Sequence, residues 1–101
     1  MSDPINLFNS RSTVTAITPA TTVQELAAAH GTRGGLIIAN DTNKTVYISF
    51  DDIDATTSLY SFKLASGAVY EMNANAYQCR VSAIWAEAAT GSLMVTEILH
   101  S

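Results

Sequence analysis

The chain has 101 residues and a formal net charge of −4; 48% of its residues are hydrophobic and only 14% charged, against roughly a quarter charged in an ordinary soluble domain. That length holds one domain, near the size at which burial only just offsets chain entropy. Arg11, Arg33, Lys44, Lys63 and Arg80 are too scattered to make a basic stripe, so nucleic acid is not an expected partner.

Mean hydropathy is +0.16, yet no apolar run approaches the ~18 residues of a membrane span. The start lacks the basic segment and apolar core of a signal peptide, so the expectation is a protein made in the cytosol with no membrane partner. Because a small domain exposes most of its surface, so few charges imply that another chain covers part of it. The expected state is a homo-oligomer or a docked subunit.

In chain order, residues 1–10 come first and place Ile5, Leu7 and Phe8 within four positions. Two readings stand: a free tail, or an arm whose three apolar side chains dock on a neighbour. Arg11 to Thr18 alternates small polar and apolar residues rich in β-branching and reads as a half-buried strand that Pro19 ends. Thr22-Val23-Gln24-Glu25 has capping-box spacing, and Leu26-Ala27-Ala28-Ala29 precedes His30-Gly31. Thr22 to Gly31 is therefore either one short helix or an extended link.

Arg33 to Phe50 reads as a β-hairpin. Gly34-Gly35 opens the run Leu36-Ile37-Ile38-Ala39, and Asn40-Asp41-Thr42-Asn43 supplies turn residues. Val46, Ile48 and Phe50 then alternate with Thr45, Tyr47 and Ser49, the period of a strand with one face in a core. The polar loop 51–58 is too long for a tight hairpin and is expected to cross between sheets. Tyr60, Phe62 and Leu64 should face the core, Ser66-Gly67 should turn, and Ala68 to Met72 should be the next strand. In the stretch 77–88, Tyr77, Cys79, Val81, Ala83 and Trp85 share one parity, and Cys79 reads as an inert core thiol. Thr90-Gly91 turns the chain into Leu93 to Leu99. The fold expected is all-β, an antiparallel β-sandwich or jelly-roll-like barrel of about seven to eight strands with at most one short helix. The expected division is an N-terminal arm over residues 1–10 and a single domain over 11–101.

No catalytic constellation emerges. Asp51, Asp52 and Asp54 are the only concentration of carboxylates, and they lack the glycine and glutamate of a calcium loop, so no metal site is assigned. His30 and His100 lie far apart without a nucleophile at a strained elbow. Gly34-Gly35 lacks the lysine of a phosphate loop and precedes a strand; it reads as a β-bulge or a close backbone approach. Asn40-Asp41-Thr42 and Asn43-Lys44-Thr45 have the spacing of glycosylation triplets, read here as chance in the absence of a secretion signal. The four Tyr and one Trp read as core or interface anchors. No cofactor is implied, and the protein reads as a non-enzyme.

Several stretches, in order, carry a family resemblance. The Arg-x-x-Leu-x-Ile-x-Asn run from Arg33 and the Val-Tyr-Ile-x-Phe run from Val46 come first. Leu64-Ala65-Ser66-Gly67 and the aromatic strand Ala68 to Met72 follow, and Ile84-Trp85-Ala86-Glu87-Ala88-Ala89-Thr90-Gly91 closes the series before a Val-containing last strand. Across residues 11–101 this resembles the small β-domain structural proteins of tailed-bacteriophage virions. The resemblance implies a capsid cement or decoration subunit at the surface of the virion, docking across shell subunits with the major capsid protein or another virion protein as partner, and a homo-oligomer with a trimer favoured. It is also compatible with a head-fibre, tail or neck component; a carbohydrate- or receptor-binding module is the competing class. Ile5, Leu7 and Phe8 are the interface candidates.

Overall fold

The computed structural model describes residues 11–51, 53–72 and 78–99. They form eight strands: β1 (Arg11–Ile17), β2 (Gln24–Ala27), β3 (Arg33–Thr42), β4 (Val46–Phe50), β5 (Phe62–Leu64), β6 (Val69–Met72), β7 (Val81–Trp85) and β8 (Gly91–Leu99). Two four-stranded sheets result, in the orders β1-β8-β3-β6 and β2-β7-β4-β5, with every pairing antiparallel. Strand 1 pairs with 8, 2 with 7, 3 with 6 and 4 with 5. The chain is thus one long antiparallel ribbon, folded at the β4–β5 loop and rolled so that β8 meets β3 and β7 meets β4. This is the connectivity of a jelly roll.

That rolling corrects two expectations. β3 and β4 lie in different sheets, so Arg33 to Phe50 is a crossing between layers and not a hairpin. The β4–β5 loop, expected to cross, instead joins two paired strands, with Val46 opposite Leu64 and Ile48 opposite Phe62. Alternation in each strand was compatible with either connection, because one buried face gives the same period whichever neighbour supplies the hydrogen bonds.

No helix occurs among the described residues, and the stretch 22–31 contains β2. A helix this short would be marginal by itself. As a strand its main chain gains β7 as partner, with Gln24 opposite Ala83 and Ala27 opposite Val81, while Leu26 and Ala27 are buried in the core.

The core lies between the layers. Leu36 and Ile38 of β3 and Leu93 and Val95 of β8 meet Val46 and Ile48 of β4 and Val81, Ala83 and Trp85 of β7, all essentially without solvent contact. Each buried Val, Leu or Ile contributes about 1.5–3 kcal/mol relative to exposure. Leu64 and Phe62 pack on this core as the alternation predicts, whereas Tyr60, which precedes β5, stacks instead on Tyr47 on the outward side of β4. Gly34-Gly35 forms the expected irregularity: the register with β8 shifts between Arg33 and Gly35, and a Cβ on Gly35 would stand 3.2 Å from Ile98 Cδ1.

A polar cluster is buried at the end of β3. Asn40 donates from Nδ2 to the carbonyls of Lys44 at 2.9 Å and Leu64 at 2.8 Å. Its Oδ1 accepts from Thr42 N at 3.0 Å and Thr42 Oγ1 at 2.6 Å. Trp85 Nε1 donates in turn to Thr42 Oγ1 at 3.3 Å. The carboxamide thus uses both of its donors and its acceptor, and removing it strands several buried groups at once. We expect Asn40→Ala to lower the unfolding free energy by about 2–4 kcal/mol in urea titration.

Two glycines have positive φ, Gly67 at 84° and Gly91 at 95°. A Cβ at Gly67 would meet open space, whereas one at Gly91 would collide with the carbonyl oxygen of Asp41. Gly67→Ala should therefore cost only the backbone term, about 1–2 kcal/mol. Gly91→Ala should cost clearly more in the same titration, since the obstacle is main chain and cannot rotate away.

Candidate functional site

The registers fix which side chains share the outward face of the β1-β8-β3-β6 sheet. Val14 lies opposite Thr96 and Thr96 opposite Ile37; Ala16 opposite Met94 and Met94 opposite Ala39; Ser12 opposite Ile98; and Val69 opposite Ala39. Antiparallel partners point to the same side. The face is therefore a continuous run of Val, Ile, Met, Ala and hydroxyl side chains, with Val14 at 59% and Val69 at 60% exposure. Its charged groups among the described residues are two carboxylates, Asp41 at one end of β3 and Glu71 on the β6 margin. Gly35 lets Ile98 lie close against the sheet, which keeps this surface low.

The outward face of the other sheet differs. Ser49 and Ser82 face each other there and are nonetheless buried, because the β4–β5 loop folds over them. Ala55, itself buried, donates its N–H to Ser82 Oγ at 3.0 Å. The β4–β5 loop thus covers part of this sheet, while among the described residues no segment covers the outward face of the other.

Ile5, Leu7 and Phe8 lie outside the described residues, as do Asp52, Tyr77 and His100. Asp51 accepts from Ile53 N at 3.3 Å, closing a local turn. Asp54 meets Arg80 Nη1 at 2.8 Å, and Glu25 meets Arg80 Nε at 2.9 Å. Arg80 is held above the usual guanidinium range by its hydrogen bond to Glu25, against an opposing effect of burial and with further support from Asp54. The acids are thus partly committed to a tether between β2, the β4–β5 loop and the segment before β7. No group of three metal-ligating side chains is found among the described residues.

His30 Nδ1 lies 3.0 Å from Thr32 Oγ1 in the turn that leads into β3. Asn40 is fully buried, so its triplet presents no acceptor in the folded protein. The aromatic side chains are mostly anchors. Phe50, Phe62 and Tyr70 stack at 4.7–5.8 Å between ring centres along one margin of the sandwich and pack on the core.

Arg33 carries a role that periodicity did not reveal. Its side chain is fully buried, with Nε 2.8 Å from Glu97 Oε2, Nη1 2.8 Å from the Cys79 carbonyl, and Nη2 donating to the Ala28 carbonyl. It locks the β2–β3 and β6–β7 links onto β8. Alternation pointed the other way, since Arg33 shares its parity with the outward Ile37 and Ala39; only the register shift at the Gly34-Gly35 pair turns it inward, where the core must neutralise its charge.

No family model, curated protein or solved structure matches the chain.

Cys79, expected in the core, is exposed, because the strand begins two residues later at Val81 and only its carbonyl is drawn inward by Arg33. A disulfide reagent should therefore modify the folded protein at a rate close to that in denaturant. A core thiol would react only as fast as the domain unfolds.

Proposed function

We propose that the protein is a non-enzymatic virion component of a tailed bacteriophage, a cement or decoration subunit that binds the outside of the capsid. The observation that carries this reading is the nearly uncharged face of the β1-β8-β3-β6 sheet, which no described segment covers. A contiguous apolar surface of this kind on a small domain marks a contact with another macromolecule. Jelly rolls recur in viral shells and in lectins, and the ordered motifs over residues 11–101 resemble phage virion domains, which favours the first of these.

In this reading the major capsid protein, or another virion protein, covers the sheet face. Ile5, Leu7 and Phe8 supply a second contact as an arm. The protein folds in the host cytoplasm and resides at the virion surface. Affinity comes from apolar area and hydrogen bonds, so binding resists salt. Modest affinity per contact suffices, since a subunit that engages several shell proteins gains effective concentration from each.

The test is to strip the protein from particles and add it back. Repopulated shells should withstand heat and osmotic shock better than bare ones, and uptake should persist in moderate salt. Val69→Asp places a charge at an exposed point of the face and should leave folding intact while weakening uptake at least about tenfold. If bare shells are equally robust and take up no protein, the cement reading fails and a fibre or receptor-binding role moves ahead.

A further inference from the structure

Four strand edges end the two sheets, and three of them are blunted. β2 is four residues long, carries Glu25 and has a register shift. β5 is three residues long with Lys63 at its centre, and β6 is four residues long and carries Glu71. Short length, charge and irregularity are the devices by which proteins keep edges from pairing with other chains.

β1 has none of them beyond its first residue. It runs for seven residues, Arg-Ser-Thr-Val-Thr-Ala-Ile, in unbroken register with β8. It contains no proline, and its only charge is Arg11. Residues Arg11 to Ala16 are exposed on both faces of the strand, so no other part of the described chain obstructs its free side. β-Branched residues occupy four of the seven positions, as suits a strand that pairs on both sides.

The strand is also self-complementary. Laid antiparallel on a copy of itself about Val14, it sets Val14 against Val14, Thr13 against Thr15, Ser12 against Ala16 and Arg11 against Ile17. No like charges oppose one another. Each pair joins residues of the same parity, so the outward side chains Ser12, Val14 and Ala16 of both copies stay on one side. We propose that β1 is a homodimerisation edge: two copies pair β1 to β1 about a two-fold axis, joining their β1-β8-β3-β6 sheets into one eight-stranded sheet. Such a contact is isologous and closes at two copies. It differs from the threefold arrangement that the family resemblance implies, and it concerns the isolated protein, so it stands apart from the capsid reading.

The experiment uses the full chain. Sedimentation equilibrium at micromolar concentration should give twice the 10.7 kDa chain mass. A mass of one or three chains would overturn the proposal. Thr13→Lys with Thr15→Lys sets lysine against lysine at two points across the axis, on side chains that are exposed in the single copy. This variant should weaken the dimer by roughly tenfold or more. Thr13→Lys with Thr15→Glu sets opposite charges in the same two places and should restore association while making the same number of changes. If the double-lysine variant stays as dimeric as the parent, or the Lys/Glu variant is as weakened as the double-lysine one, the β1 register is wrong. Circular dichroism of both variants should match the parent, since neither alters a core position.

Discussion

The buried carboxamide of Asn40 stands where three crossings between the sheets meet. The β3–β4 crossing is held by its bonds to Thr42 and Lys44, and the β5–β6 crossing by its bond to Leu64 O. Its own main chain exchanges bonds with Ala68 and Gly67 of the latter link. The β7–β8 crossing packs alongside, through Trp85 on Thr42, the Asn43–Thr90 pair and the close passage of Gly91 over Asp41. Where strands leave a sheet their ladder bonds end, and a buried corner must find other partners for those groups. One side chain with two donors and an acceptor supplies several of them, and a fully satisfied network of this kind specifies geometry more sharply than apolar packing does.

The opposite end of β3 is fixed by a charge. The Arg33 guanidinium gathers the carbonyls of Ala28 and Cys79 and the Glu97 carboxylate, while Gln78 bonds back to the Arg33 carbonyl. Burying a cation is costly unless nearly all its donors are met, so the links on this side have little freedom to shift without exposing that cost. β3 is therefore held at both ends by polar groups that admit few alternatives, and the apolar middle, Leu36 and Ile38, is positioned between them. The outward face of the sheet inherits its regularity from this spine.

Strand existence was legible in the sequence because one-sided burial writes a period of two, and seven of the eight strands fall within stretches whose composition and alternation indicate them. Sheet membership was not. Asn40-Asp41-Thr42-Asn43 has hairpin chemistry in isolation, and only the inward side chains of Asn40 and Thr42 make it a corner. β2 carried a helical local signal, which the free pairing edge of β7 overrode. Cys79 shared its parity with Val81 and Trp85 but lies before the strand begins, where parity no longer decides orientation. The open face was half legible: Ile37 alongside Ile38, and Met94 alongside Val95, put apolar residues on both sides of β3 and β8. Which of those sides is left uncovered depends on long-range pairing, which no local pattern encodes.

The low overall charge takes on meaning once its distribution is known. The described ion pairs outside the core, Arg80 with Glu25 and Asp54 and Lys44 with Glu87, all lie on the β2-β7-β4-β5 sheet or its connections. Lys63 and Asp51 belong to that layer too. The other layer has Arg33 and Glu97 turned inward on each other and an exposed Arg11 at the start of β1, and its outward surface keeps carboxylates only at its margins. Hydration and repulsion between copies are thus concentrated on one layer, which leaves the other with little electrostatic barrier to contact. The face that no described segment covers and the unblunted edge belong to that same second layer. Pairing at β1 would not compete with contact on the face, because a strand edge bonds in the plane of the sheet and a face packs perpendicular to it. The two surfaces are independent in geometry and additive in effect: joining sheets edge to edge doubles the apolar area that one assembled unit presents.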